Sequence, residues 1–373
     1  MSNDSELWLP AAFNRGYAYH DRVEQSERSV AGFYAARYGH SDQAVWIERL
    51  AAGEISCNGQ QLNADAPLRA GDRLLWHRPP WQEAAVPVLS ERVVVFDDGD
   101  LLVLNKPSGL PVLPAGGFLV HTLLAQLEGW LVDGRLDPRA GLPRPVHRLG
   151  RYTSGLLVCA RRPASRAWLS ALLRESSALS QGSIDPASPG GGPPHRCRKL
   201  YRALTAPLPL DWPVAVAHPL TTPIGRQPHP KLGWIWAAAA DAVASGTASL
   251  PSHSDLTLLR RGPAACLVEV AIRSGRPHQI RIHTAAAGAP LLDDPLYLPG
   301  GAARPDVLPG AGGYHLHAHR LQLWPAAGGS LELEAPLPPA LDGGSGTERL
   351  LVGPGPGRGS APQAFSKASS REK

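Results

Sequence analysis

Cysteine, lysine and long apolar runs are all scarce in this sequence. Its 373 residues include four cysteines, and no two of them are spaced as a Cys-x-x-Cys pair. This spacing argues against a zinc ribbon. The chain opens MSNDSELWLP, which lacks the apolar segment of a secretory signal, and no run approaches the roughly 18 apolar residues of a membrane span. We therefore expect a protein of a reducing, cytoplasmic setting, away from membranes.

The basic residues are almost all arginine. Only five of the 37 are lysines, which leaves 32 arginines, and the formal net charge is +5. A guanidinium is a planar fork that binds phosphate oxygens and stacks on bases, so this excess favours a nucleic-acid partner. A GC-rich genome, which also enriches Gly, Pro and Ala, is the alternative explanation, and composition alone does not decide between them.

Composition predicts a globular chain with one large domain and one small one. Hydrophobic residues make up 43% and charged residues 18% of the sequence. Shifts in composition divide the chain into four segments and predict a flexible, low-complexity insertion at 176–194. The segments are an N-terminal extension (1–29), a small module (30–82), a large domain (83–340) and a disordered basic tail (341–373).

Local patterns predict the elements of these segments. In the small module, helix-spaced apolar residues begin at Val30 and again after Ser41, and Gly53 is typical of a helix end. EISCNGQQL indicates two strands joined by an Asn-Gly turn. In the large domain, many strands separated by few helices indicate an α+β fold around a large mixed sheet.

Four ordered blocks carry the functional signal. A fifth, weaker one is LHAHRLQL. The four are DLLVLNKPSGLPV, HRLGRYTSGLLV, RKLYRALT and GRPHQIRIHTAAAGAPLLDDPLY. They resemble the RluA-type RNA pseudouridine synthases over most of residues 90–335. The resemblance implies a synthase fold with a central mixed, largely antiparallel sheet and an RNA cleft, with no cofactor and no metal.

The small module also carries a resemblance. Its helix pair followed by GEISCNG and LRAGDRL resembles an α/β RNA-binding module that such synthases share with a small-subunit ribosomal protein. The resemblance implies that Arg37, Arg49 and Arg73 meet RNA phosphates. Ordinary solvated arginines are the alternative.

The chemistry of the family sets what the site must contain. The target uridine has to leave its stack, rest on an aromatic face and have its phosphates held by cations. The resemblance assigns Arg148 to the flipped-out conformation, Tyr201 to packing on the base, and Arg281 to pairing with a catalytic carboxylate. Each has a structural alternative: a surface arginine, a core aromatic and an ion-pair partner.

One position departs from the family pattern. The family places an Asp directly after His-Arg-Leu to attack or deprotonate sugar or base, and this chain has Gly150 there. A buried Arg281 without an anion would cost several kcal/mol. We therefore expect a compensating anion, either Asp293, Asp294 or an RNA phosphate. A solvated turn pair or a local cap is the alternative role of the two acids. Further residues expected at the RNA are Lys106, His147, Arg151, Thr153, Arg276, His278 and Gln279.

The sequence thus predicts a monomeric RNA pseudouridine synthase that acts on ribosomal or transfer RNA. Because of Gly150, a catalytically impaired RNA-binding protein with the same fold is the alternative. A small-molecule enzyme on an unrelated α/β fold is disfavoured, because the sequence has no Gly-rich phosphate loop.

Overall fold

The structure is a computed structural model that describes residues 7–175, 197–239, 249–324 and 329–342. The predicted insertion lies outside these residues, as does the predicted tail beyond Asp342. The elements of the first 90 residues are β1 (Trp8–Leu9), β2 (Ala12–Phe13), β3 (Tyr17–Arg22), α1 (Val30–Arg37), α2 (Gln43–Ala51), β4 (Ile55–Cys57), β5 (Gln60–Leu62), β6 (Arg73–Arg78), β7 (Gln82–Glu83) and β8 (Val86–Pro87).

The remaining elements belong to the large domain. They are β9 (Val94–Asp97), β10 (Leu101–Lys106), α3 (Leu123–Val132), β11 (Arg144–Pro145), β12 (Thr153–Ala160), α4 (Pro163–Glu175), β13 (Cys197–Thr205), β14 (Ala217–Leu220), β15 (Ile224–His229), β16 (Gly233–Ala238), β17 (Ser249–Leu250), β18 (Ser254–Arg261), β19 (Cys266–Ile272), α5 (Gln279–Ala286), β20 (Leu316–Leu323) and β21 (Leu331–Glu334).

The two helices of the small module begin where the sequence predicts. Ser29 caps α1, since its hydroxyl accepts from the Gly32 N–H at 2.9 Å, and Asp42 caps α2 by accepting from the Val45 N–H at 3.0 Å. Both helices pack on a four-stranded sheet of order β3-β6-β4-β5. The predicted Asn-Gly turn joins β4 to β5, with positive φ at both of its residues.

The small module begins earlier than residue 30. Strand β3, which the sequence-based boundary assigns to the N-terminal extension, pairs with β6 along its whole length. The one buried residue of its sequence YAYHDR is the polar Asp21, so no alternation of buried apolar residues marks it as a strand. The pairing partner lies more than 50 residues away, so local pattern could not reveal this strand.

The large domain is built on a ten-stranded sheet. Its main path runs β14-β18-β19-β13-β20-β12-β10-β9, with β11 added beside β12 and β21 beside β20. Every pairing is antiparallel except that of β12 with β20. All eight residues of β12 are buried, as expected for a central strand. The predicted α+β class with a mixed, largely antiparallel sheet is therefore confirmed.

Helices cover the sheet at separate places. Apolar residues of α3 and α4 pack with β10 and β12 in one cluster, and Ile280 of α5 packs with β18 and β19 in another. A three-stranded sheet of order β16-β15-β17 covers the other side of α5. Among the described residues the longest helix, α4, has 13 residues, and none of the helices has the length and apolarity to cross a bilayer.

Candidate active site

A buried lysine fixes the loop that carries the His-Arg-Leu-Gly motif. Lys106, at the end of β10, is 0% exposed. Its ammonium donates to the carbonyls of Pro107, Leu110 and Arg151 at 2.8, 2.9 and 3.0 Å. Burial, with a smaller effect of Arg151, lowers the pKa of Lys106 to about 7. The expectation that Lys106 meets RNA is therefore wrong in this structure, because a phosphate has no access to its ammonium.

Arg151 is also engaged within the protein. Its Nε donates to the Gly109 carbonyl at 2.9 Å, and its guanidinium lies over the rings of Phe118 and Tyr152 at 4.5 and 5.0 Å. Ser108 adds a hydrogen bond to the Tyr152 carbonyl at 2.9 Å. These contacts join the motif loop to the loop after β10. They favour a structural role for Arg151 over the predicted RNA contact.

His147 orders the start of the motif loop. Its Nε2 accepts the Val158 N–H at 3.0 Å, so it ties the loop to β12. Burial, with a smaller contribution from Lys199, lowers the pKa of His147 to about 3. The ring is therefore neutral near pH 7 and keeps the lone pair that this hydrogen bond requires.

A cavity of about 400 Å³ opens beside His147, between β13, the end of β19, β20 and α4. This volume falls within the range of small-ligand pockets. All of its lining residues lie in the described part of the chain, and none of them is Asp or Glu. Five of them are cationic, namely Arg148, Arg174, Lys199, Arg276 and Arg320. The cavity is therefore electropositive and suited to an anionic ligand.

Three of these cations were not singled out from the sequence. Lys199 could have been found, because it lies two residues before Tyr201 and so shares its face of β13. Arg320 lies in the LHAHRLQL block, where it pairs with Glu334 at 2.8 Å. Arg174 ends an amphipathic helix and carries no signal that distinguishes it from a solvated arginine.

Tyr201 supplies the aromatic surface of the cavity. It lies on β13 opposite Ala318 of β20 and Val270 of β19. Its side chain is partly buried, and burial raises the pKa of its phenol, which therefore stays neutral. On the far side of Ala318 lies Gly155 of β12, so three neighbouring strands meet here. The small Ala318 leaves the ring space to face the cavity.

Arg276 reaches the cavity, whereas Gln279 holds the turn that presents it. Arg276 donates Nε to the Pro251 carbonyl at 3.0 Å. Gln279 is 3% exposed, and its Oε1 accepts from the Ser274 hydroxyl and the Arg276 N–H at 2.7 and 3.1 Å. Its Nε2 donates to the His253 carbonyl at 2.9 Å. The predicted RNA contact of Gln279 is therefore wrong here, because its amide is fully used inside the protein.

His278 lies between two arginines of the site. Its Nδ1 is 2.7 Å from the Tyr297 hydroxyl, which itself donates to the Trp236 carbonyl at 2.7 Å. Since the hydroxyl proton is used there, the His278 Nδ1 is the donor to Tyr297. Burial, then the charges of Arg281 and Arg148, lower the pKa of His278 far below its ordinary value. His278 is therefore a neutral member of the site.

Arg281 has the anionic partner that the sequence calls for. Its Nε and Nη2 donate to the two carboxylate oxygens of Asp294, each at 2.7 Å. Burial lowers the pKa of Arg281, but the hydrogen bonds to Asp294 outweigh it and hold that pKa above the ordinary value. The Asp294 side chain is 0% exposed, so it neutralises Arg281 without offering an oxygen to RNA.

Asp293 does not reach Arg281 in this way. Its side chain is 68% exposed, and its carboxylate lies 3.2 Å from His315 Nε2. Its backbone is left-handed, with φ of +61°, whereas that of Asp294 is not. Of the two acids considered from sequence, only Asp294 contacts the site.

Gly150 lies beside a phenol. A Cβ placed on Gly150 would collide with the Tyr314 hydroxyl, and it would lie 3.3 Å from the Thr153 Oγ1. The Tyr314 hydroxyl is 3.2 Å from that same Thr153 oxygen. The Arg281 guanidinium lies over the Tyr314 ring at 4.3 Å. Thr153 therefore contacts the site through Tyr314, a residue that sequence patterns did not single out.

The arginines predicted in the small module differ in their partners within the protein. Arg37 forms an ion pair with Asp21. Arg49 is stacked on two indoles, 4.2 Å from the ring centre of Trp46 and 4.7 Å from that of Trp76. Arg73 is exposed at the start of β6. Only Arg73 therefore remains a simple candidate for a phosphate contact.

Comparison with known proteins gives a consistent family. Residues 100–286 match the family described as RNA pseudouridylate synthase. An RNA pseudouridine synthase of Synechocystis is 39% identical over 83% of this chain and 94% of its own length. RNA pseudouridine synthase 5 of Arabidopsis thaliana is 36% identical over 88% of this chain and 94% of that protein.

A relative named for the ribosome has a lower sequence identity to this chain. The ribosomal large subunit pseudouridine synthase D of Neisseria meningitidis is 29% identical over 81% of this chain and 72% of its own length. The RluA-type resemblance of the four blocks is thereby confirmed. The chain belongs to the RNA pseudouridine synthase family, whose members are isomerases that convert uridine in RNA to pseudouridine.

Proposed function

We propose that this protein isomerises a uridine of a structured ribosomal or transfer RNA, with the base turned out of its helix into the cationic cavity. The observation that carries this proposal is the cavity itself, which combines the Tyr201 ring with five cations and has no carboxylate among its described lining residues. Such a surface fits a base and its flanking phosphates. The name of the Neisseria relative supports a ribosomal substrate.

The cavity addresses the energetic cost of base flipping. Removing a uridine from its stack costs a few kcal/mol. Stacking on an aromatic side chain returns about 1–3 kcal/mol per base. Arg148 is exposed beside the cavity, where it can hold the strand that the base has left. Arg276 is fixed by Pro251 and Gln279, so its charge is presented in one place.

Arg281, Asp294 and Tyr314 support the site from within the protein. Arg281 is buried against Asp294, and its guanidinium also covers the Tyr314 ring. Arg281 therefore orders the protein around the site. Of the cavity arginines, Arg320 pairs with Glu334, which leaves Arg148, Arg174 and Arg276 to meet phosphate. In the small module, the exposed Arg73 provides a further contact for the RNA backbone.

The test is direct detection of pseudouridine. The purified protein is incubated with ribosomal and transfer RNA from a strain that lacks the gene, and pseudouridine is mapped by chemical derivatisation and reverse transcription. We expect at least one site that is absent from the deletion strain and restored by the protein. RNA that is bound but not modified would favour the RNA-binding alternative, which the names of the relatives do not favour.

Matched arginine variants test the cavity. Arg276→Gln removes one lining cation and is expected to weaken RNA binding and its salt dependence. Arg135→Gln removes an exposed arginine just after α3, where it pairs with Asp133, and is expected to bind RNA as the unaltered protein does. Equal loss of binding in both variants would show that net charge, not the cavity, holds the RNA.

A further inference from the structure

The Tyr314 hydroxyl occupies the space that a carboxylate at residue 150 would need. The distance from that hydroxyl to a Cβ built on Gly150 is too short for two unbonded atoms. It is close to the distance that separates a carboxylate oxygen of aspartate from its own Cβ, two bonds away. The phenol oxygen therefore stands about as far from residue 150 as an aspartate oxygen would.

The surroundings hold this hydroxyl in place beside Gly150. Tyr314 is 6% exposed, whereas Gly150 beside it is exposed. The Tyr314 ring is held from one side by the Arg281 guanidinium at 4.3 Å and from another by the edge of Tyr152 at 6.1 Å. Its hydroxyl contacts Thr153 Oγ1 at 3.2 Å. The ring is therefore held in one position by its neighbours.

The neighbouring acids do not offer an equivalent oxygen. Both carboxylate oxygens of Asp294 accept from Arg281, and the side chain is wholly buried. Asp293 is largely exposed and contacts His315. The cavity has no Asp or Glu among the described residues that line it. Tyr314 is thus the group best placed to act where Gly150 cannot.

We propose that Tyr314 is a catalytic residue and that its hydroxyl does the chemistry for which residue 150 has no side chain. The proposal rests on the proposed function. It also gives Gly150 a physical reason, because any side chain at that position would collide with the phenol oxygen. Gly150 and Tyr314 are then a matched pair. Residue 150 has no carboxylate oxygen, and the phenol oxygen of Tyr314 takes the place of that oxygen.

The proposed step balances without a further reactant. The reaction breaks the bond from ribose C1′ to uracil N1, makes a bond from C1′ to C5, and moves one proton from C5 to N1. The Tyr314 oxygen bonds to C1′ as the C1′–N1 electron pair leaves with N1, which takes the phenol proton. Uracil C5 then attacks C1′, the aryl glycosidic bond breaks, and the C5 proton returns to the phenol oxygen.

Removal of one oxygen atom tests the proposal. Tyr314→Phe keeps the ring under Arg281 and removes only the hydroxyl. With a substrate RNA of the wild-type protein, we expect the single-turnover rate at saturating RNA to fall by about 100-fold or more, with an unchanged Kd for RNA. Tyr152→Phe removes a hydroxyl from the neighbouring ring and is the matched control, expected to keep the wild-type rate. Equal denaturation midpoints would show that both variants are folded.

A carboxylate can be returned in a second variant. Gly150→Asp alone places its Cβ against the Tyr314 hydroxyl, so we expect it to be poorly active. In Gly150→Asp/Tyr314→Phe the collision is relieved, because the nearest ring carbon, Cζ, lies 3.7 Å from that Cβ. We expect this double variant to be at least about 10-fold faster than Tyr314→Phe, as returning a catalytic group should allow.

The outcomes separate this proposal from the proposed function. If the wild-type protein forms no pseudouridine in any RNA, the proposed function itself fails. If the wild-type protein is active and Tyr314→Phe keeps its rate, or loses RNA affinity while its saturated rate is kept, Tyr314 is not catalytic. A folded double variant that gains nothing over Tyr314→Phe would overturn the placement of the phenol at the carboxylate position.

Discussion

Arg281 and Asp294 face each other through two parallel hydrogen bonds of 2.7 Å, and both side chains are almost completely buried. The same guanidinium covers the rings of Tyr314 and Tyr297 at 4.3 and 5.1 Å. The family resemblance pairs Arg281 with a carboxylate directly after His-Arg-Leu. In this protein Asp294 provides the carboxylate that neutralises it. Its charge is satisfied within the protein, and no RNA phosphate is needed to compensate it.

The ion pair predicts that replacing Asp294 destabilises the protein far more than replacing the adjacent Asp293. Asp294→Asn leaves the Arg281 charge buried without an anion, and we expect unfolding to become easier by about 3–5 kcal/mol. Asp293→Asn changes a carboxylate that is 68% exposed and is the matched control, expected within about 0.5 kcal/mol of the original chain. Chemical denaturation of both variants measures the difference. Similar losses in the two would show that the turn, not the ion pair, matters.

The cavity predicts that the ring of Tyr201 matters more than its hydroxyl. Tyr201→Ala removes the proposed stacking surface, worth about 1–3 kcal/mol, so we expect kcat/KM for the substrate RNA to fall by about 5- to 150-fold. Tyr201→Phe keeps the ring and is expected to keep most of the activity. The measurement is initial rate against RNA concentration. Equal losses in both variants would instead assign a chemical role to the hydroxyl.

Local sequence signals predicted those parts of the fold that neighbouring residues determine. The starts of α1 and α2 and the Asn58–Gly59 turn depend on residues only a few positions away, and each is found where the pattern predicts it. Helix α5 was not predicted. Seven of its eight residues are buried, and they include Gln, Arg, His and Thr, so burial there follows from tertiary partners and not from apolar periodicity.

The site was predictable where one block of sequence carries the residue. Tyr201 and Arg148, which the resemblance assigned to the site, both line the cavity. Lys106 was misassigned, because sequence shows a lysine's charge but not its burial under three carbonyls. The contact between Gly150 and Tyr314 joins positions more than 160 residues apart. A glycine signals no partner, so only the folded chain reveals that contact.

The environment of His147 predicts a pH dependence of stability. Its pKa is about 3 in the folded chain against an ordinary value of 6.5. Between these values the unfolded chain binds a proton that the folded chain does not, so stability falls as pH falls from 6.5 towards 3. We expect His147→Gln to reduce this fall by up to about 1.4 kcal/mol per pH unit. Its amide carbonyl can still accept the Val158 N–H.

The measurement is the free energy of unfolding at several pH values between 6.5 and 4. His20→Gln is the control, because it changes an exposed histidine and should leave the slope as it is in the original chain. A His147→Gln variant with the original slope would show that other buried groups account for the acid sensitivity.

The junction of three strands predicts that two Gly→Ala changes have opposite effects. Gly155 has φ of +100°, and an added Cβ would collide with the Ala318 backbone on the neighbouring strand β20. We expect Gly155→Ala to destabilise the protein by about 2–4 kcal/mol, from backbone strain and from displacement of β20. Because Ala318 lies opposite Tyr201, the same shift should also lower pseudouridine formation.

Gly129→Ala is the counterpart within helix α3. The added Cβ meets nothing within 4 Å, and alanine stabilises a helix interior by about 0.5–1 kcal/mol relative to glycine. We therefore expect a higher denaturation midpoint with unchanged activity. Thermal and chemical denaturation of the two variants side by side measures both effects. If Gly155→Ala leaves the free energy of unfolding unchanged, β12 and β20 can move apart without cost, and the prediction is wrong. The full burial of β12 is the reason that we expect a cost.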